Sequence, residues 1–263
     1  MKYCRISTSE GPKFGFVESI QGQEQITQTA PDGAIPLWSG GKLTKPIALD
    51  GAKFLEPVKP SKIVCVGRNY RDHAKELGNE VPVEPLTFFK PPSSLIAPGA
   101  EIVLPIAVSD RIEYEGELGV VIGKQCRRIG PADDVRTYIL GYTCANDVTA
   151  RDLQKKDNQW TRAKGFDTFC PVGPFVTDQI DPWKGVQVET RLNGEVRQNG
   201  NTNMFIFPLD VVLRYISRVM TLLPGDLILT GTPAGVGPLA HGDQVTVSIE
   251  GVGVICNPVI REN

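Results

Sequence analysis

At 263 residues the chain is long enough to bury a sizeable core, in one large domain or in a domain with a small appendage. Lys and Arg number 28 against 30 Asp and Glu, so no overall field draws the chain to nucleic acid or to an anionic membrane, and a small molecule is the expected partner. Glycine (27) and proline (21) exceed average usage beside an ordinary apolar fraction of 41%, which points to a folded protein rich in strands and turns.

Met1–Arg5 leads into a short β-like segment rather than an apolar signal core, and no apolar run approaches the roughly 18 residues that a membrane span needs. A cytoplasmic location is the expectation. Cys4, Cys65, Cys126, Cys144, Cys170 and Cys256 form no Cys-x-x-Cys pair and have no histidine nearby, so they read as buried thiols. His73 and His241 are the only histidines, which argues against a metal site built on imidazole.

Residues 1–58 alternate short apolar runs with turn-formers such as Pro31-Asp32-Gly33 and Ser39-Gly40-Gly41, the pattern of a small N-terminal β-domain of hairpins without chemistry of its own. Pro57-Val58-Lys59-Pro60 reads as a linker to a second domain over 60–263. Lys62–Gly67 is an apolar strand; the polar turn after it passes into helix formers that stop at Gly78. On that helix His73 and Glu76 stand three apart, so the carboxylate can orient the imidazole as a general base, or His73 can be a surface histidine on a solvated helix face. In Pro85–Pro92 an aromatic run ends in a lysine held by two prolines, and Ile102–Pro105 is a further strand.

Ile112 to Gly123 reads as a single strand, with Glu113, Glu115 and Glu117 on one face and Leu118, Val120 and Ile122 on the other. Stacked carboxylates resist burial; that face needs water, basic partners or a hard cation that accepts oxygen ligands, or else it is an exposed charged edge. Tyr138–Ala145 is a buried strand that delivers Asp147 where a polar turn begins, as a metal ligand or a helix cap. Lys164 lies among aromatic residues and glycine, a setting for a partly desolvated cation. Val186–Leu192 is a strand turned by Asn193-Gly194, Leu209–Met220 an amphipathic helix, and Leu227–Thr230 a strand. The Gly231–Gly237 loop could offer backbone N–H groups and the Thr232 hydroxyl to an anion. Val245–Ile249 and Val252–Cys256 close the chain as strands, and His241 reads as a turn residue.

Five segments in order, Gly67-Arg68-Asn69-Tyr70-x-x-His73, Tyr114-Glu115-Gly116-Glu117-Leu118, Asn146-Asp147-x-Thr149-Ala150-Arg151-Asp152, Lys164-Gly165-Phe166-Asp167 and Thr230-Gly231-Thr232-Pro233-x-Gly235-Val236-Gly237, resemble the fumarylacetoacetate hydrolase family over residues 60–263. The resemblance implies a mixed β-rich (α+β) fold, a β-sheet roll around a Mg²⁺ or Mn²⁺ site, a flexible lid over that site, and a homodimer. It implies Glu115, Glu117 and Asp147 as metal ligands, His73, Glu76 and Lys164 as catalytic residues, and Gln154, Thr232 and Arg151 as substrate contacts; Glu113 has no ligand counterpart and is set aside with Arg111 or Arg151 as its partner, or toward solvent. The implied chemistry is hydrolysis of the carbon-carbon bond of an acylpyruvate through an enolate. Oxaloacetate decarboxylation or tautomerisation, and isomerisation of 2-hydroxyhepta-2,4-diene-1,7-dioate, stand as alternatives, and a metal-binding protein without turnover as a further one.

Overall fold

The computed structural model describes residues 1–36 and 42–262, so the expected Ser39-Gly40-Gly41 turn lies outside the described residues. The architecture is a mixed β-fold with few helices. A large sheet runs, in spatial order, through Ile47–Ala48, Gln23–Pro31, Gly11–Ile20, Lys2–Thr8, Cys170–Thr177, Ile139–Asn146, Gly116–Ile122, Leu227–Leu229, Ile63–Gly67 and Leu86–Lys90. A second sheet follows the order Glu195–Asn201, Gln187–Leu192, Gln244–Ile249, Gly253–Arg261 and Ile102–Leu104. Pairing is antiparallel in most ladders, but Leu227–Leu229 lies parallel to Ile63–Gly67, and Gly253–Arg261 parallel to Ile102–Leu104.

The N-terminal strands form the expected hairpins, turned at Gln21-Gly22 with positive φ at both positions, as a tight two-residue connection requires. The first of them, Lys2–Thr8, pairs antiparallel with Cys170–Thr177, which extends the large sheet through the N-terminal segment. Val58, in the Pro57–Pro60 stretch, is buried with Tyr3, Phe14 and Ile63.

The strand Gly116–Ile122 is buried at every position, so its apolar residues serve both faces of the sheet. Leu118, Val120 and Ile122 pack with Val188, Val247 and Ile255 of the second sheet, while Val121 packs with Cys65, Leu227 and Leu229. Helix Leu209–Val219 seals the first of these cores with Leu209, Val212, Leu213 and Ile216, one stripe at helical spacing. Each such side chain contributes roughly 1.5–3 kcal/mol on burial. The Asn193-Gly194 turn has positive φ at both residues, as read from the sequence, whereas the final strand runs on to Arg261, beyond the expected Cys256, because Val259–Arg261 gains Ile102–Leu104 as a parallel neighbour.

Among the described residues no helix is long and apolar enough to cross a membrane.

Candidate active site

The acidic run is not one strand. Ile112–Glu113 pairs with Thr149–Ala150, and Gly116–Ile122 pairs with Ile139–Asn146; Tyr114 and Glu115 leave the ladder between them. Other partners satisfy the freed backbone: the Glu115 N–H donates to Asn146 Oδ1 (2.9 Å), the Glu115 carbonyl accepts the Asp147 N–H (2.8 Å), and the Gly116 N–H donates to Gln198 Oε1 (2.9 Å). Position 116 has to be glycine, because a Cβ there would sit 2.0 Å from Thr190 Oγ1 of the second sheet.

The break brings Glu115, Glu117 and Asp147 together. One carboxylate oxygen from each lies within 4.8 Å of the other two, and all three residues are at least 96% buried, with exposures of 4%, 2% and 1%. Like charges at this spacing and burial need compensation. Lys164 Nζ donates to Glu115 Oε2 (2.8 Å) and Asp147 Oδ2 (2.7 Å); Arg151 Nη2 donates to Glu115 Oε1 (2.5 Å); Lys90 Nζ donates to Asp147 Oδ1 (2.7 Å) and to the Val148 carbonyl (3.1 Å). Burial alone pushes Glu115 up, but Lys164 and Arg151 outweigh it and hold this carboxyl well below the usual range. Burial likewise works against the Lys164 ammonium, and Asp147 and Glu115 outweigh that too, raising its affinity for the proton.

Glu117 is treated differently. Its side chain accepts only the Gly231 N–H (2.7 Å) among the described residues and has no cation bonded to it. Burial, then Asp147 and Glu115, push its carboxyl well above the ordinary value. A buried all-oxygen set with one uncompensated carboxylate fits a hard divalent cation of the Mg²⁺, Mn²⁺ or Ca²⁺ kind and not a soft one.

His73 and Glu76 lie on the short helix Arg71–Glu76, and His73 Nδ1 is 3.3 Å from Glu76 Oε2. His73 is 4% exposed, so it is no surface histidine, whereas Glu76 reaches it from an exposed position on the helix. Burial opposes the Glu76 charge, but hydrogen bonds from His73 and the Gly235 N–H (3.0 Å to Oε1) hold its carboxyl below the ordinary value. With Nδ1–H donated to Glu76, Nε2 carries the imidazole lone pair.

The Gly231–Gly237 loop departs from its expected use. Its N–H groups do meet anions, but these are the protein's own carboxylates, Glu117 at Gly231 and Glu76 at Gly235. The Thr232 hydroxyl donates to the Gly116 carbonyl (2.8 Å) and accepts from Gln198 Nε2 (2.7 Å), which occupies it internally. Gln154 accepts from Arg151 Nη1 (2.5 Å).

All the expected site residues except Glu76 line one cavity of about 290 Å³. Glu113 stays outside it: buried, it takes Arg111 Nε (2.5 Å) and Arg151 Nε (2.6 Å), so the basic partners are the ones expected and the solvent alternative is excluded. Sequence reading left four contributors without a role. Lys90 was marked only by the prolines after it; Gln198, buried in the second sheet, ties Gly116 to Thr232 and Pro233. Phe88 and Trp160, edge to face at 5.1 Å, wall the cavity, and Lys164 Nζ lies 5.0 Å from the Phe88 ring centre.

Comparison with known proteins places this geometry. Residues 62–260 match the family model described as "Fumarylacetoacetate (FAA) hydrolase C-terminal". The crystal structure of 2-hydroxyhepta-2,4-diene-1,7-dioate isomerase from Mycobacterium marinum aligns with a TM-score of 0.88 at 42% identity, covering 100% of this chain and 99% of that one. Human mitochondrial oxaloacetate tautomerase FAHD2A is 45% identical over 93% of this chain and 78% of its own length. The mitochondrial oxaloacetate decarboxylase of Dictyostelium discoideum is 48% identical over 73% of this chain and 89% of its own. The chain belongs to the fumarylacetoacetate hydrolase family, whose members are enzymes.

Proposed function

We propose that this enzyme moves a proton beside the carbonyl of a small 2-oxo acid, with keto–enol tautomerisation or double-bond isomerisation as its reaction, ahead of the acylpyruvate hydrolysis expected from the sequence. The observation that carries this reading is a single cavity holding three clustered buried carboxylates and a carboxylate-oriented histidine. The relatives support it, since those named above as tautomerase and isomerase relocate protons without a hydrolytic water.

Glu115, Glu117 and Asp147 would hold Mg²⁺ or Mn²⁺, which when bound supplies a Lewis acid for the 2-oxo acid's oxygens. His73, its Nδ1–H fixed on Glu76, takes the proton from the carbon next to the carbonyl through Nε2. Returning that proton to oxygen completes a tautomerisation; returning it to another carbon completes an isomerisation. Lys164, buried and charged, places positive potential beside the developing oxyanion in a cavity lined by Phe88 and Trp160. Arg151 and Gln154, joined to each other, present fixed polar groups to the acid end of the substrate.

The test follows oxaloacetate enol absorbance in the presence of Mg²⁺ or Mn²⁺, with acetylpyruvate cleavage and CO₂ release measured in parallel. His73→Ala should lower the tautomerisation rate by about 10²–10⁴ while leaving cation affinity unchanged by calorimetry. Wild-type turnover by that variant removes His73 from the reaction, and faster cleavage of acetylpyruvate than tautomerisation restores hydrolysis as the main activity.

A further inference from the structure

Glu113 is the one carboxylate of the acidic run to which the proposed reaction gives no role. It is 1% exposed and lies outside the cavity, on the two-residue strand Ile112–Glu113. That strand is held from both sides: Glu113 stands opposite Thr149 in one ladder and bridges to Pro238 on the other, and the Ile112 carbonyl accepts the Leu239 N–H (2.8 Å). Taking a carboxylate this far out of water is costly unless the charge is matched.

Its match is Arg151. The two Glu113 oxygens divide between Arg111 Nε (2.5 Å) and Arg151 Nε (2.6 Å). Arg151, 2% exposed, gives its other two guanidinium nitrogens to Gln154 Oε1 and Glu115 Oε1, both at 2.5 Å. Of these three acceptors, Gln154 and Glu115 line the cavity and Glu113 does not. A cation drawing on Glu115, or a substrate drawing on Gln154, therefore leaves Glu113 as the bond that still fixes the guanidinium.

The balance of charge points the same way. The three cluster carboxylates stand beside three buried cations, Lys90, Arg151 and Lys164, and a divalent ion would add two positive charges. Arg68 and Lys155, also lining the cavity, add to the positive side and have no ion pair among the described residues. With Glu113 present, Arg151 has a counter-charge of its own; without it, Glu115 is the carboxylate that Arg151 has left.

We propose that Glu113 is a positioning residue acting through Arg151: it fixes the guanidinium beside the cavity and frees Glu115 for a divalent cation. This inference rests on the reading of Glu115, Glu117 and Asp147 as the ligands of that ion.

The test is Mg²⁺ calorimetry on the full-length protein, apart from turnover, with urea denaturation of the cation-free forms alongside. Glu113→Gln, which keeps the shape and loses the charge, should weaken Mg²⁺ binding about 10- to 100-fold, the range for groups that orient a ligand from behind. Glu113→Asp, which keeps the charge, should recover most of that loss. In an Arg151→Gln background the Glu113→Gln change should alter affinity less than about twofold, since the residue it acts through is gone. Arg111, exposed, supplies an arm that does not depend on the folding of Glu113→Gln: Arg111→Ala leaves Glu113 wholly to Arg151 and should tighten Mg²⁺ binding about twofold or more. Wild-type affinity in Glu113→Gln, an undiminished loss in the Arg151→Gln background, or unchanged or weaker binding in Arg111→Ala overturns the positioning role. Full Mg²⁺ affinity in Glu115→Ala overturns the ligand reading instead, and no Mg²⁺ binding by the wild type overturns both.

Discussion

The floor and the wall of the cavity treat charge in opposite ways. On the floor, buried carboxylates and buried cations are bonded at 2.5–2.8 Å and share partners, so that Lys164 joins Glu115 to Asp147 and Arg151 joins Glu113 to Glu115. At the wall, Arg68 has an aromatic face and no counter-charge among the described residues. A network of the first kind is held by its own geometry and is costly to interrupt; a group of the second kind is stable without a partner and free to acquire one.

The largest expected effect comes from interrupting the floor. Lys90→Met leaves Asp147 with Lys164 as its remaining cation and should cost about 3–5 kcal/mol of stability, as for removal of one partner from a buried pair, read by urea denaturation of the cation-free protein. A loss below 1 kcal/mol would show that the floor is not a tightly coupled network. Next, adding Mg²⁺ or Mn²⁺ should raise stability by about 2.7 kcal/mol at a hundredfold excess over the dissociation constant, since the ion binds the folded carboxylate cluster and not the unfolded chain. Glu117→Gln should abolish the increase, because Glu117 is the one member of the cluster with no cation of its own. An undiminished thermal shift in that variant would remove Glu117 from the ligand set. The smallest effect is expected at the rim of the network. Arg111 is 56% exposed on its side chain, and Glu113 keeps Arg151 without it, so Arg111→Ala should cost about 0.2–1 kcal/mol in the same denaturation experiment. A larger loss would move the boundary of the rigid floor outward to include Arg111.

Much of the site was legible in the chain itself. Carboxylates in alternation, a histidine and glutamate at helical spacing, and a lysine among aromatic residues are local patterns, and local patterns carry chemistry that composition alone does not. Lys90, Gln198 and Arg68 escaped the same reading for a common reason. Nothing in the sequence around Lys90 says that Asp147, 57 positions later, will stand over its ammonium, and Gln198 earns its place only because the second sheet packs where Gly116 leaves room. Arg68 sat inside a motif that was recognised, but its lack of a partner is a property of the surroundings.

The sequence by itself determined the β-rich class, most of the strands and turns and the helix at Leu209–Val219, because periodicity, turn chemistry and residue type are written within a few residues of one another; the set Glu115, Glu117 and Asp147 came from the family resemblance, since periodicity alone put Glu113 beside Glu115 and Glu117. Only the tertiary structure decided that the acidic run breaks at Tyr114–Glu115, that the glycine-rich loop binds Glu117 and Glu76 rather than an incoming anion, and which charges are matched and which are left free. The physical reason is that close approach and charge compensation act over ångströms in space between residues far apart in the chain.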